Sequence, residues 1–399
     1  MPREGRIHVY RKILSVLVPL VLSLLLCAGI ASAETAADVV KQCKFQTEVH
    51  QRAARRMATS RLDECWDGGS DGTLTVTLPK GKHAQGIMIT FSCTPPPLQI
   101  RDADGSLLAE WNESFYVAWI PFAHETSKFT LARPAGGDLV ISRLNVLTGG
   151  DLPDWVERWE HLEPGTADLL LIATHPDDDL LWFGGLLPVY AGERGMRVQV
   201  AYMVGDHSRI RRVELLDALW HCGCRYYPEI GDFLDKGTYS KAAAYRAWGG
   251  EDAVDAHITG LLRKWQPRVV VTQDLDGEYG HIHHRIMATS VAKCVTALCQ
   301  DPSYDPESAE KWGVAHPQKL YVHLYPENPL VINWDEPLKA FDGKTGLEVA
   351  KEAFRLHVSQ QKGKYHVSTK GRTRCTQFGL YYTAVGPDEA GNDLFEHVE

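Results

Sequence analysis

The chain has 399 residues, with 51 acidic against 42 basic side chains and a formal charge of −9. That length exceeds what one hydrophobic core usually serves, so two domains are expected. A net acidic surface repels polyanions, which argues against nucleic acid and anionic membrane as partners.

In chain order the first element is a leader. Arg3, Arg6, Arg11 and Lys12 precede an apolar stretch from Ile13 to Ile30, which ends in the small residues Ala31-Ser32-Ala33. This order predicts a signal peptide at 1–33, cleaved after Ala33, and hence an exported protein (secreted, periplasmic or cell-surface). An uncleaved anchor is the rival reading, because the stretch approaches the ~18 residues at which a membrane span becomes plausible. No second long apolar run follows, so stable membrane insertion is not expected after cleavage. Nine cysteines become eight once Cys27 leaves. Cys43 and Cys65 are the pair expected within the first domain if a disulfide forms there. Cys222 and Cys224, a lone Cys-x-Cys, read as structural.

A helix is expected around Ala36 to Arg56. From about Thr73 to Leu147 short alternating segments such as Thr73–Leu78 and Gly86–Phe91 are punctuated by Pro95-Pro96-Pro97, Asp104-Gly105 and Gly136-Gly137. Period-two alternation with frequent turn residues predicts an all-β sandwich at 34–150, an accessory domain that could bind carbohydrate. Gly149-Gly150 and Pro153 then break the pattern, and a domain boundary is placed there. Trp155 and Trp159 beyond it stand at helical spacing and read as packing across the junction.

After Ala167 the rhythm changes to apolar runs alternating with helical patterns. Asp168–Ala173, Val198–Val204, Val269–Thr272 and Lys319–Leu324 read as strands. Leu180–Gly192, Arg211–Cys222, Glu251–Trp265 and His284–Leu298 read as helices, and Leu347, Ala350, Phe354 and Val358 as the buried stripe of another. Such alternation predicts an α/β domain at 151–399, a Rossmann-like, mostly parallel sheet with helices on both faces. No G-x-G-x-x-G turn follows the first strand, which excludes a dinucleotide site where one would stand.

Two clusters carry chemistry. Thr174-His175-Pro176-Asp177-Asp178-Asp179 follows the first strand of this domain, and Gly277-Glu278-Tyr279-Gly280-His281-Ile282-His283-His284 follows Val269–Thr272. Both fall on the edge of the sheet where α/β sites are built. A catalytic zinc asks for three nitrogen or oxygen ligands and an open position, which His175, Asp178 and His284 could meet together. Asp177, adjacent but not needed for the metal, suits a general base, and His281 suits the developing oxyanion or the leaving amine. Each cluster alone has a plainer reading, a helix-capping Pro-Asp-Asp turn and a solvated histidine-rich loop.

His175-Pro176-Asp177-Asp178 with Gly184-Gly185, and His281-x-x-His284, together resemble the LmbE/PIG-L-like superfamily of zinc-dependent de-N-acetylases over roughly Ala167 to Leu298. The resemblance implies His175, Asp178 and His284 as zinc ligands, one Zn2+ per chain, with another divalent transition metal as an option. It implies Asp177 as general base and His281 as stabiliser or proton donor. Tyr279, two residues before that histidine, is implied to touch substrate. Arg211 in Arg211-x-x-Glu214 is implied to hold a sugar hydroxyl or phosphate, with a plain Arg211–Glu214 helix pair as the alternative.

The chain departs from the family pattern twice: Asp179 stands where many members have Glu, and His283 where many have Asp. The second departure leaves His281 without an obvious carboxylate partner. His283 is not expected to share an ion with His284, because neighbouring side chains seldom reach one metal. The function implied is removal of an N-acetyl or other N-acyl group from an N-acetylglucosamine-type sugar or glycoconjugate, with an amino-sugar or glycan as partner. A zinc amidase on a non-sugar N-acyl substrate and a non-catalytic carbohydrate-binding protein are the alternatives.

Overall fold

The computed structural model describes residues 34–59, 61–134, 136–205, 208–236 and 239–399. The leader read from residues 1–33 lies outside them. The described chain is a mixed α/β structure with three sheets.

Nine strands precede residue 150: β1 (Lys44–Gln46), β2 (Trp66–Asp67), β3 (Leu74–Thr77), β4 (Ala84–Phe91), β5 (Leu98–Asp102), β6 (Leu107–Trp111), β7 (Val117–Thr126), β8 (Lys128–Ala132) and β9 (Val140–Thr148). They form a five-stranded sheet, β1-β3-β8-β5-β6, and a four-stranded sheet, β2-β9-β4-β7, and every pairing is antiparallel. Alternation explains why they pack. Leu74 and Val76 of β3 are buried while Thr75 and Thr77 are half-buried, so one face of the strand is apolar. Those residues share a single core with Ile87, Ile89, Ile141 and Leu144 of the other sheet.

The helix expected over Ala36 to Arg56 is not continuous. A 3-10 turn at Val40–Gln42 leads into β1, followed by the short helix Gln51–Ala54 and a second 3-10 turn. Pairing of Phe45 with Val76 in the sheet outweighs the local helical preference. The Cys43–Cys65 disulfide is likewise absent, since all eight described cysteines are free. Cys43 Sγ instead donates to Val39 O at 3.4 Å, and Cys65 Sγ lies 3.6 Å from Arg209 Nη1.

The third sheet contains β10 (Leu169–Ala173), β11 (Val198–Val204), β12 (Glu229–Phe233), β13 (Val269–Thr272), β14 (Lys319–His323), β15 (Pro329–Val331) and β16 (Gln377–Thr383), in the order β12-β11-β10-β13-β14-β16-β15. The strands from β12 to β14 run parallel, and β16 and β15 close one edge antiparallel. All five residues of β10 are buried. Leu169, Leu171 and Ala173 enter one core and Leu170 and Ile172 another, because successive side chains point to opposite faces. The helices Arg209–His221 and Gly346–Leu356 cover the first face, and Glu251–Trp265 and Ile282–Gln300 cover the second. Among the described residues no helix is long and apolar enough to cross a membrane.

Three other expectations need correction. The helix read from Leu180 to Gly192 is a short turn of helix at Asp178–Leu181 and a π-helix at Pro188–Glu193. Gly184 separates them at φ +54, and a Cβ there would lie 2.6 Å from Cys375 Sγ, so the chain turns where only glycine fits. The Trp155–Trp159 segment is not helical. Trp159 packs edge-on against Trp220 at 5.4 Å and Tyr227 at 5.7 Å, whereas Trp155 is exposed. The last helix stops at Leu356, which leaves Val358 outside its stripe and exposed.

Candidate metal and catalytic site

The strand order reverses about β10, with β11 on one side and β13 on the other, so the crevice beyond β10 and β13 is a topological switch point. Both motif clusters leave from these two neighbouring strands, whose register pairs Ile172 with Thr272. Just past the strands the Gln273 side chain accepts the Thr174 N–H at 2.8 Å. That bond ties the first residue of one cluster to the strand end that launches the other.

His175, Asp178 and His284 converge. His175 Nδ1 lies 3.1 Å from Asp178 Oδ2 and 3.1 Å from His284 Nε2, and His284 Nε2 lies 3.3 Å from Asp178 Oδ2. Zinc bonds of about 2.0–2.2 Å at tetrahedral angles separate ligand atoms by roughly 3.3 Å, so this triangle has the size a single ion requires. All three residues are buried. Asp178 is aimed by two donors: Trp182 Nε1–H binds Oδ1 at 2.7 Å and the His175 N–H binds Oδ2 at 2.7 Å.

Charge in this cluster favours a cation. Burial works against a charged His284, but Asp178 and Glu278 outweigh it and push its pKa up to about 10. His175 is raised against the same burial penalty, chiefly by Asp178. Asp178 is held well below the usual carboxylate range by His284 and His175, again against burial. A metal ion bound here would take the place of the protons these rings hold. Zinc affinity is therefore expected to fall as pH drops from 9 toward 6, by up to about tenfold per unit for each proton displaced. Competitive chelator titrations across that range check it.

Sequence reasoning missed the carboxylate behind His284. Glu278 is fully buried; Oε2 accepts from His284 Nδ1 at 2.7 Å and Oε1 pairs with His323 Nδ1 at 2.7 Å. His323 Nε2 in turn reaches Arg374 O at 3.0 Å. Burial would raise the Glu278 pKa, yet hydrogen bonds from the two histidines bring it down to about 2. This is the outer-layer arrangement that fixes a ligating imidazole's tautomer and raises its basicity. Glu278 lies in the second motif cluster, six residues before His284, and that spacing is its only signal in the sequence. Glu278→Gln is expected to weaken zinc binding about 10–100-fold while the fold persists, as read by the same titration.

Asp177 lies between His175 and Asp178 in the chain with φ 109, in the left-handed region, and is buried. Its carboxylate joins neither converging group of metal-ligating atoms. Burial first, and then the charge of Asp178, push its pKa up to about 8, against the opposing pull of Arg211 and His175. Arg211 comes from the first turn of the Arg209–His221 helix; its Nη2 donates to Pro176 O at 2.6 Å and lies 3.3 Å from Asp177 Oδ1. The alternative Arg211–Glu214 pair is not what forms, because Glu214 instead accepts from Ser359 N at 2.8 Å and Ser359 Oγ at 2.5 Å.

His281 precedes the Ile282–Gln300 helix, and its ring lies 4.4 Å from His284 and 4.8 Å from His175 between centroids. Burial and then the charges of His284 and His175 bring its pKa down to about 3, so the ring is held neutral. The turn before it depends on Gly277 at φ +70, where a Cβ would come within 2.5 Å of His281 O. Tyr279, at φ 55 and half-exposed, stacks on Tyr365 at 4.3 Å, and both rings stand near Trp182. Tyr365 and Trp182 were not anticipated as parts of this aromatic wall. Asp179 is buried, and its Oδ1 accepts the Asp177 N–H at 3.3 Å. Burial raises its pKa to about 7.

Residues 170–295 match the family model described as PIG-L: GlcNAc-PI de-N-acetylase, and this segment is a PIG-L (LmbE) family domain. The chain is similar to a 1D-myo-inositol 2-acetamido-2-deoxy-alpha-D-glucopyranoside deacetylase 1 of Catenulispora acidiphila, with 31% identity over 188 residues covering 41% of this chain and 57% of that protein. A 1D-myo-inositol 2-acetamido-2-deoxy-alpha-D-glucopyranoside deacetylase of Rhodococcus jostii is 34% identical over 179 residues, covering 38% and 60%. The chain thus spans less than two thirds of the length of these curated relatives. Among solved structures, the N,N'-diacetylchitobiose deacetylase from Pyrococcus horikoshii aligns with a TM-score of 0.37 at 21% identity, covering 49% of this chain and 71% of that one.

Proposed function

We propose that this protein is an exported, zinc-dependent hydrolase that removes an N-acetyl or similar N-acyl group from an N-acetylglucosamine-type sugar or glycoconjugate. The observation that carries the reading is the triangle of His175 Nδ1, Asp178 Oδ2 and His284 Nε2 at 3.1–3.3 Å beside a buried carboxylate, Asp177, that stays outside it. The PIG-L family domain over 170–295 and the deacetylase names of the similar proteins support the reaction type. The basic, apolar and small-residue order of residues 1–33 supports export.

The domain reading divides the chain into a signal peptide at 1–33, an accessory β-sandwich at 34–150 and a Rossmann-like hydrolase domain at 151–399. The shared core of the two antiparallel sheets and the parallel order from β12 to β14 support it.

In this reading His175, Asp178 and His284 hold the ion, with Glu278 fixing the His284 tautomer. When bound, zinc polarises the amide carbonyl and acidifies water. Asp177 accepts the proton of the attacking water, and Arg211 keeps both that carboxylate and the Pro176 carbonyl in place. His281, held neutral, donates a hydrogen bond to the oxygen of the former carbonyl as negative charge gathers there, and the C–N bond then breaks as the proton taken up by Asp177 passes to the leaving amine. Tyr279 and Tyr365 offer a stacked, half-exposed surface for a sugar ring.

Acetate release from N-acetylchitooligosaccharides and other N-acetylglucosaminides, before and after chelation and zinc return, tests the function. Release that is lost with the metal and restored by zinc supports it. A zinc-loaded protein that frees no acyl group from that panel overturns it.

A further inference from the structure

His283, one of the two departures from the family motif, does not face the triangle. One position along the helix from His284, it projects about 100° away around the axis, and its ring stacks on Trp248 at 4.8 Å and 13°. His283 Nδ1 lies 3.2 Å from Asp235 Oδ1, an oxygen that is also 3.5 Å from His175 Nε2. The His281 ring stands edge-on to His175 and 5.5 Å from His283. One ligand atom from each of His175, Asp235, His281 and His283 lies within 4.8 Å of all the others.

These groups are short of partners. His175 Nε2, His281 Nδ1 and both ring nitrogens of His283 are buried without a hydrogen bond in bonding geometry among the described residues. His283 is 2% exposed, so its ring nitrogens lie away from bulk solvent. Buried imidazole nitrogens normally find a donor or acceptor, and several left over around one carboxylate call for a shared cation. The Asp235 side chain is half-exposed, which gives an ion a route from solvent.

We propose that His175 Nε2, His281, His283 and Asp235 form a second divalent transition-metal site, back to back with the His175–Asp178–His284 triangle across the His175 ring. Three imidazoles and one carboxylate are a donor set that zinc, cobalt, nickel and copper favour over magnesium or calcium. Filling both sites at once requires the His175 ring to give its remaining N–H proton to solvent, so the second ion binds more weakly than the first and releases one more proton. Occupation ties up His281 and therefore inhibits; this consequence, unlike the site itself, rests on the hydrolase reading.

Zinc titration of the full chain by calorimetry, with bound metal counted after equilibrium dialysis, tests the site. The wild type is expected to take two zinc ions in two separable events. His283→Gln is expected to keep the tighter event, and Asp235→Asn, which also removes the carboxylate facing His175, to weaken that event by no more than the 10–100-fold that loss of an outer partner costs, while each weakens the second event by more than that. In the wild type, excess zinc then slows acetate release with the affinity of the second event, and both variants resist it. A single event in the wild type, or a second event unchanged in both variants, overturns the second site and leaves the first standing. Absence of any zinc binding overturns both.

Discussion

Asp177→Asn is expected to lower acyl release by about 10²–10⁴-fold, the usual worth of a positioned general base, with zinc affinity held within a few fold. The carboxylate lies outside both converging groups of potential ligand atoms, so an ion bound by either would not depend on it. Its backbone, at φ 109, is a conformation that asparagine adopts more readily than most residues, and Asn keeps an oxygen for Arg211. What the substitution removes is the ability to take a proton. In the metal-free chain burial and Asp178 hold the Asp177 pKa near 8. A dication beside it favours the ionised form and brings the group into the range of a base at neutral pH. Steady-state acetate release together with metal content checks the pair of outcomes, and loss of both activity and metal would place Asp177 among the ligands instead.

The second large effect is expected at Asp178. Asp178→Asn should remove tight zinc binding and, with it, nearly all activity. Its two oxygens do different work: Oδ1 accepts from Trp182, and Oδ2 faces His175 and His284. An amide can still accept from the indole, so the loop is expected to fold, but a neutral ligand no longer balances the charge of the ion. The two histidines also lose the carboxylate that raises them. Retention of full-strength zinc binding in this variant would show that the ion lies elsewhere. Metal content after dialysis and thermal unfolding of the same sample separate loss of the ion from loss of the fold.

Much of this arrangement was legible because the chemistry is local. His175-Pro176-Asp177-Asp178 and His281-x-x-His284 each follow a strand that is an unbroken apolar run, and such runs are read readily when both faces are buried. The rule that α/β sites gather beyond strand ends then brought together residues more than a hundred positions apart. Partners that arrive from distant segments were not legible. His323 comes from β14, Asp235 from the segment after β12, and Tyr365 from the stretch after the last helix; none lies near a motif or repeats with a period. Glu278 was in view, but the sequence does not tell a buried carboxylate behind a ligand from one in solvent. The misread helices have a common cause. At Ala36–Arg56 strand pairing, and at Leu180–Gly192 a tight glycine turn, overrode a local helical pattern.

His283 shows the same limit from the other side. Its identity marked a departure, but its meaning depends on Asp235 and Trp248, which only the fold brings to it.

Anomalous diffraction at the zinc absorption edge, on crystals grown with one equivalent of zinc per chain, addresses the central claim directly. The predicted result is a peak within bonding distance, about 2.0–2.2 Å, of His175 Nδ1, Asp178 Oδ2 and His284 Nε2 together. A peak that leaves out His284, or density showing the two imidazoles too far apart to share an ion, would contradict it.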